Sequence, residues 1–353
     1  MATIQQLLLE VIKRNASDLH LTVGALPTLR VDGSLTPLEG EKPLMAEDVQ
    51  GLVFSILTEE QKEILLANKE LDFSFALGEV ARFRVNVYHQ KGYLAASLRL
   101  IPAKIKTLEE LNLPSIIKNF VRLPQGFVLI TGPTGHGKST TLAAVINEIN
   151  ETRSEHIVTI EDPIEYIYPH RQSLISQREL HLDTHSWEIA LRSVLREDPN
   201  VVLIGEMRDF DTTSAAITIA ETGHLVFSTL HTNSAVQSIS RIVDQYPEYQ
   251  QQQIRVQLAE VLEGVVSQRL IPAIVGGRYP VCEILLATPA VRTMIRENKV
   301  HQIDNYIMTS RDLGMQTLEH SLANLVKSGK VSMETALSYA IRPDEFKRIM
   351  KGA

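Results

Sequence analysis

The spacing of apolar positions changes character along the chain. Ile4, Leu7, Leu8, Val11 and Ile12 fall on one helical face, after which Asp18–Thr22 and Thr28–Val31 read as short strands around Gly24 and Pro27. Asp32-Gly33 marks a hairpin turn. From residue 72 to residue 100 the period shortens to two: Phe73, Phe75, Phe83, Val85 and Val87 occur at odd positions, and Gly92 interrupts a second run ending at Leu100. This pattern predicts a small mixed α/β domain over residues 1–100. A linker over 101–125 opens at Ile101-Pro102 and is expected to carry a short helix over 108–113.

From residue 126 the text repeats strand, loop, helix. Near-continuous apolar strands at 127–130, 157–160, Val201–Ile204 and Leu225–Leu230 are separated by helical stretches at 139–149, 186–196 and 213–221. Buried strands alternating with helices predict a parallel sheet covered on both faces, over residues 126–287. From residue 288 to 353 the apolar spacing is helical, as in Leu318, Leu322, Leu325 and Val326, with Ser332 as a cap, and predicts a helical bundle.

Composition narrows the classes. With 353 residues and 44% hydrophobic content the chain suits about two domains, each with its own core. A net charge of −7 removes the overall basic footprint of a nucleic-acid binder, so a translocase of nucleic acid is disfavoured, although a local basic groove is not. The first nine residues lack a basic, apolar leader, and no run approaches the ~18 apolar residues of a membrane span, so a cytoplasmic chain with no transmembrane segment is expected. The single cysteine, Cys282, lies in the apolar stretch 281–286 and is expected to be a buried, inert thiol; it cannot form a disulfide within the chain or a multi-cysteine metal site.

The chemistry begins at Gly132-Pro133-Thr134-Gly135-His136-Gly137-Lys138-Ser139-Thr140, placed between an apolar strand and a helix whose apolar face is Leu142, Val145, Ile146 and Ile149. Glycines at this spacing let backbone N–H groups curl around phosphate oxygens, and the helix N-terminus adds partial positive charge. Lys138 bridges the outer phosphates of ATP, and the Ser139 hydroxyl can ligate Mg²⁺. Two acidic clusters follow strands of the same sheet. Glu206 comes after Val201–Ile204, and Glu161-Asp162-Pro163-Ile164-Glu165 after the strand at 157–160. In an open α/β sheet those strand ends face the ligand, so Glu206 could hold Mg²⁺ through water and the second cluster could polarise an attacking water. Either cluster alone is equally consistent with a solvated loop acid.

His224 and His231 flank Leu225–Leu230 on opposite faces, so they cannot jointly chelate a metal; His231 could contact the γ-phosphate or simply cap the strand. In the first domain Arg82 and Arg84 share a strand face, and a turn near Gln90-Lys91 would set Arg99 beside Arg82. Guanidinium groups gathered this way suit phosphate charge or an ordinary solvated face.

Taken together these motifs resemble the secretion ATPases of type II and type IV pilus systems, essentially from end to end. Ser17-Asp18-Leu19-His20-Leu21 is similar to that family's opening, residues 132–140 to its Walker A motif, and 161–165 to its Asp box. Gly205-Glu206-Met207-Arg208-Asp209 is similar to its Walker B motif, and Thr222-Gly223-His224 through His231-Thr232-Asn233 to its His box. The resemblance implies a PAS-like N-terminal α+β domain, a RecA-like P-loop ATPase domain with a C-terminal helical bundle, and a homo-hexameric ring using ATP and Mg²⁺. It implies Glu165 as catalytic glutamate, Glu206 near Mg²⁺ and water, His231 on the γ-phosphate, and Arg84 and Arg99 reaching the nucleotide. The missing four-cysteine metal site and extra N-terminal domain of extension motors imply the retraction branch, as does the stretch 290–297, which departs from that branch at Val291, Thr293 and Met294. The resemblance implies a place at the cytoplasmic side of the inner membrane at the pilus base, a platform protein as partner, and room for an accessory retraction ATPase beside it. An accessory or coupling subunit with little turnover would use the same residues. His136 replaces the family's usual serine inside the phosphate loop.

Overall fold

The computed structural model describes residues 2–31, 33–78, 80–101 and 104–351. Asp32 of the expected Asp32-Gly33 turn and Pro102 of the linker opening lie outside them. The chain divides into two compact units, one formed by Met1–Lys104 with Asp162–Ile167, the other by Ile105–Glu161 with Tyr168–Ala353.

The first unit is α+β. Helix α1 (Ile4–Lys13) starts at a reciprocal cap in which the Thr3 hydroxyl accepts from the Gln6 N–H and the Gln6 amide oxygen accepts from the Thr3 N–H. Strands β1 (Asp18–Thr22), β2 (Thr28–Val31) and β3 (Ser34–Pro37) follow, then helices α2 (Ala46–Phe54) and α3 (Glu59–Asn68), then β4 (Glu70–Leu77), β5 (Ala81–Gln90) and β6 (Tyr93–Ile101). The six strands form one antiparallel sheet ordered β3-β2-β1-β6-β5-β4. Its alternation sends Leu19, Leu21, Phe83, Val85, Val87 and Leu98 into a core with Ile4, Leu8 and Val11 of α1.

The second unit is a parallel α/β layer structure. It comprises α4 (Lys118–Val121), β7 (Gly126–Thr131), α5 (Lys138–Thr152), β8 (His156–Glu161), β9 (Leu174–Glu179), α6 (Trp187–Val194), β10 (Val201–Ile204), α7 (Phe210–Glu221), β11 (Leu225–Leu230), α8 (Ala235–Asp244) and α9 (Glu248–Val261). The hairpin β12 (Leu262–Pro272) and β13 (Arg278–Leu286) follows, then α10 (Pro289–Arg296), α11 (Ile303–Thr309), α12 (Leu318–Lys327), α13 (Met333–Tyr339) and α14 (Pro343–Lys351). The seven-stranded sheet runs β13-β12-β7-β11-β10-β8-β9, parallel except for the β12–β13 pair. Apolar side chains of α10 and α11 join the main core, whereas α12–α14 close a separate core with Ile271 and Val281 of the hairpin. Cys282 is buried, and burial pushes its thiol up to about 12.

Two local expectations are corrected. Residues 108–112 form turns and not a helix, because Asn112 takes a left-handed backbone (φ 56°) that ends the winding after Leu111 N–H bonds Thr107 O. Arg99 pairs across the ladder with Arg84, and Arg82 with Ile101. The tight turn is Lys91-Gly92, both with positive φ, and centring it there rather than one residue earlier moves every cross-strand partner by two.

Candidate nucleotide site

The site is built from the ends of β7, β10 and β11, with β12 as a wall. At Gly132 the chain leaves β7 with φ 140°, and a Cβ there would stand 2.1 Å from the Gln268 carbonyl oxygen of β12. Only glycine passes that strand so closely. Gly137, in the left-handed region, is the N-cap of α5 and offers no side chain to the first turn, which leaves that end of a 15-residue helix open to an anion. Ser139 and Thr140 stand half-buried in that turn. The buried Lys138 side chain folds back, its Nζ donating to the carbonyls of Gly132 (2.9 Å) and Pro133 (3.0 Å).

Strand β12 holds the far side of the loop. Gln268 Nε2 donates to His136 O at 2.8 Å, and its Oε1 accepts from the Thr141 hydroxyl at 2.7 Å. The Leu270 N–H donates to His136 Nδ1 at 2.9 Å, and Arg278 Nη1 approaches Gly135 O at 3.4 Å. Burial lowers the His136 pKa, and the charges of Arg269, Arg278 and Lys138 lower it further.

On the opposite side stands a polar relay. Thr134 Oγ1 lies 3.2 Å from His231 Nδ1, and His231 Nε2 lies 3.1 Å from Glu206 Oε2, which also pairs through its other oxygen with Arg208. Burial pushes the Glu206 carboxyl up, but hydrogen bonding to and charge of Arg208, together with His231, hold it below the usual carboxylate range. An ionised Glu206 only accepts, so His231 carries its proton on Nε2, and in the neutral ring Nδ1 accepts from the Thr134 hydroxyl. Asp209, from the same stretch as Glu206, is spent elsewhere: it caps α7 by accepting from the Thr212 N–H at 2.9 Å. His224 Nδ1 meets Thr222 Oγ1 and Ile219 O, both at 3.0 Å, at the end of α7, apart from His231.

The other expected residues group differently. Glu161 ends β8, buried, accepting from Thr159 Oγ1 at 2.7 Å. Glu165 belongs with the first unit, where Arg84 Nη1 lies 3.4 Å from its Oε1. Arg99 Nε donates to Asp18 Oδ1 at 2.8 Å; burial of Asp18 raises its pKa, but the bonds from Ser17 and Arg99 leave it lowered overall. Gln268, Leu270 and Arg278 escaped sequence reasoning. The polar run Ser267-Gln268-Arg269 after an apolar stretch was the available signal, and only the hairpin's position in the sheet gives it meaning.

The description "type II/IV secretion system protein" matches residues 1–338. The chain belongs to that family. A Pseudomonas aeruginosa protein named type IV pilus retractation ATPase PilT is 47% identical over 97% of this chain and 99% of its own length. A Neisseria gonorrhoeae protein named twitching motility protein is 49% identical over 88% of this chain and 83% of its own. A crystal structure of the pilus retraction motor PilT with bound ADP matches with a TM-score of 0.91 at 45% identity, covering 99% of this chain and 100% of that one. In keeping with that structural match, the fold is α/β, with one α+β unit and one parallel-sheet unit. Among the described residues no helix is long and apolar enough to cross a membrane.

Proposed function

We propose that this chain is one subunit of a homo-hexameric ATPase that retracts type IV pili, acting on a platform protein at the cytoplasmic side of the inner membrane. The observation that carries the chemistry is the Thr134–His231–Glu206 relay, which ties the phosphate loop to the carboxylate after β10. The similarity to a named retraction ATPase over nearly the whole chain supports the task.

In this reading the loop amides and the α5 N-terminus bind phosphate oxygens, and Lys138 exchanges its carbonyl contacts for the outer phosphates. Bound Mg²⁺ supplies charge neutralisation and asks for few protein oxygens, a demand that the Ser139 hydroxyl and the ionised Glu206 fit. Pro133, Thr134, Gly135 and His136 shape the cradle. His231 orients Glu206 and contacts the γ-phosphate end. Glu165 accepts the proton of the attacking water, and Arg84 and Arg99 act on the nucleotide of a neighbouring subunit.

Deleting the gene in its host and complementing with wild type, Lys138→Ala or Glu165→Gln tests the task. The deletion strain should be hyperpiliated and unable to twitch, with wild type alone restoring motility. Unchanged motility after deletion would contradict a main retraction motor.

A further inference from the structure

We infer that His136 is a positioning residue, whose imidazole clamps the phosphate loop to β12 and so sets nucleotide affinity from a strand outside the loop. The inference rests on the nucleotide reading of that loop. Strand β12 supplies the hydrogen bonds that carry it. That strand pairs with β7 only as far as Ser267, opposite Thr131, where β7 ends. Leu270 lies beyond that point, and its antiparallel partner on β13 is Pro280. The Leu270 N–H is taken by His136 Nδ1 at 2.9 Å, so a side chain from the phosphate loop completes the sheet edge. A second bond fixes the same residue from its backbone: Gln268 Nε2 donates to His136 O, and Thr141 holds that amide in register by donating to Gln268 Oε1. His136 is thus gripped at ring and carbonyl by alternate residues of one strand, between glycines that cannot fix the loop themselves.

Nδ1 accepts only in the neutral ring, with the proton on Nε2. The charged groups facing it are Lys138 from α5, Arg269 from β12 and Arg278 from β13, all cationic and all opposing protonation. Because the folded-state pKa is depressed below the ordinary histidine value of 6.5, the clamp is intact at and above that pH. It is lost only as pH falls through that lowered value.

The test is ADP affinity of the full chain at pH 7.5 and at pH 5, with His136→Leu, His136→Asn and Lys138→Ala beside wild type. Losing one such hydrogen bond predicts about tenfold weaker ADP binding for His136→Leu at pH 7.5. Asn places an acceptor oxygen where Nδ1 stands, so His136→Asn should stay within about threefold of wild type. Wild type should weaken at pH 5 relative to His136→Asn, whose acceptor does not titrate. A purely structural role would not give rescue by Asn together with a flattened pH response. Wild-type affinity in His136→Leu, with Lys138→Ala still defective, overturns the clamp alone. Failure of wild type to bind ADP overturns the nucleotide reading and the clamp with it.

Discussion

At the scale of single residues, the site depends on a carboxylate kept ionised although most of its surface is covered. Arg208 and His231 both bond Glu206, and Thr134 completes the chain back to the phosphate loop. Glu206→Gln keeps the shape and removes the charge. It should lower steady-state ATP turnover about a hundredfold while ADP affinity changes little, since in the proposed site ADP is held mainly by the loop and Lys138. Equal losses in turnover and ADP binding would assign Glu206 to the cradle instead. The loop glycines, Lys138 and Glu206 were legible in sequence because their spacing is local. Gln268 and Leu270 were not, since they reach His136 from more than 130 residues away through sheet pairing. Asp209 carried a motif signal yet turns out to cap a helix, a demand that any helix start can make.

At the scale of elements, strands buried on both faces were readable from composition, and strands with mixed burial were not. Val201–Ile204 is wholly buried and apolar and Leu225–Leu230 is wholly buried with only Ser228 and Thr229 polar, whereas β9 is a polar edge strand with only Ile175 and Glu179 buried. The β5–β6 register was missed by a shift of the turn that no apolar period could detect, because both choices bury the same alternate residues. The element most exposed to substitution is the crossing of the loop over β12. Gly132→Ala puts a Cβ 2.1 Å from the Gln268 carbonyl at a φ of 140°, so the loop must lift off the strand. The expected result is a thermal midpoint lowered by several degrees and at least tenfold weaker ADP binding, from a strain of about 1–3 kcal/mol. An unaltered midpoint would show that β12 yields.

At the scale of the whole molecule, the change from period-two text to buried strands separates the two units in sequence, but the grouping of Asp162–Ile167 with the first unit depends on tertiary contacts alone. Arg342, just ahead of α14, gathers a partly buried charge cluster that the sequence pattern does not announce. Arg342 lies 3.2 Å from Asp304, 3.3 Å from Glu345, 3.9 Å from Glu283 and 4.0 Å from Glu319. Burial, with the neighbouring Asp304 and Glu319, raises the Glu283 carboxyl to about 7, against the bond it accepts from the Ala235 N–H at the start of α8 and the charge of Arg342. With a folded value near 7 and an ordinary value of 4.5, the folded state holds the extra proton between those values, so stability falls as pH rises through that window. Glu283→Gln keeps the Ala235 acceptor and removes the titration. It should flatten that slope and raise stability at pH 8 by roughly 2 kcal/mol, measured by chemical denaturation at pH 5 and pH 8. An unchanged slope would assign the pH dependence elsewhere.

The proposed function requires ATP turnover at the phosphate loop. Steady-state phosphate release from ATP and Mg²⁺, measured on the purified protein beside folded Lys138→Ala, tests it most directly. Wild type should release phosphate steadily and the variant only at background; equal release by both would contradict an ATPase site at this loop.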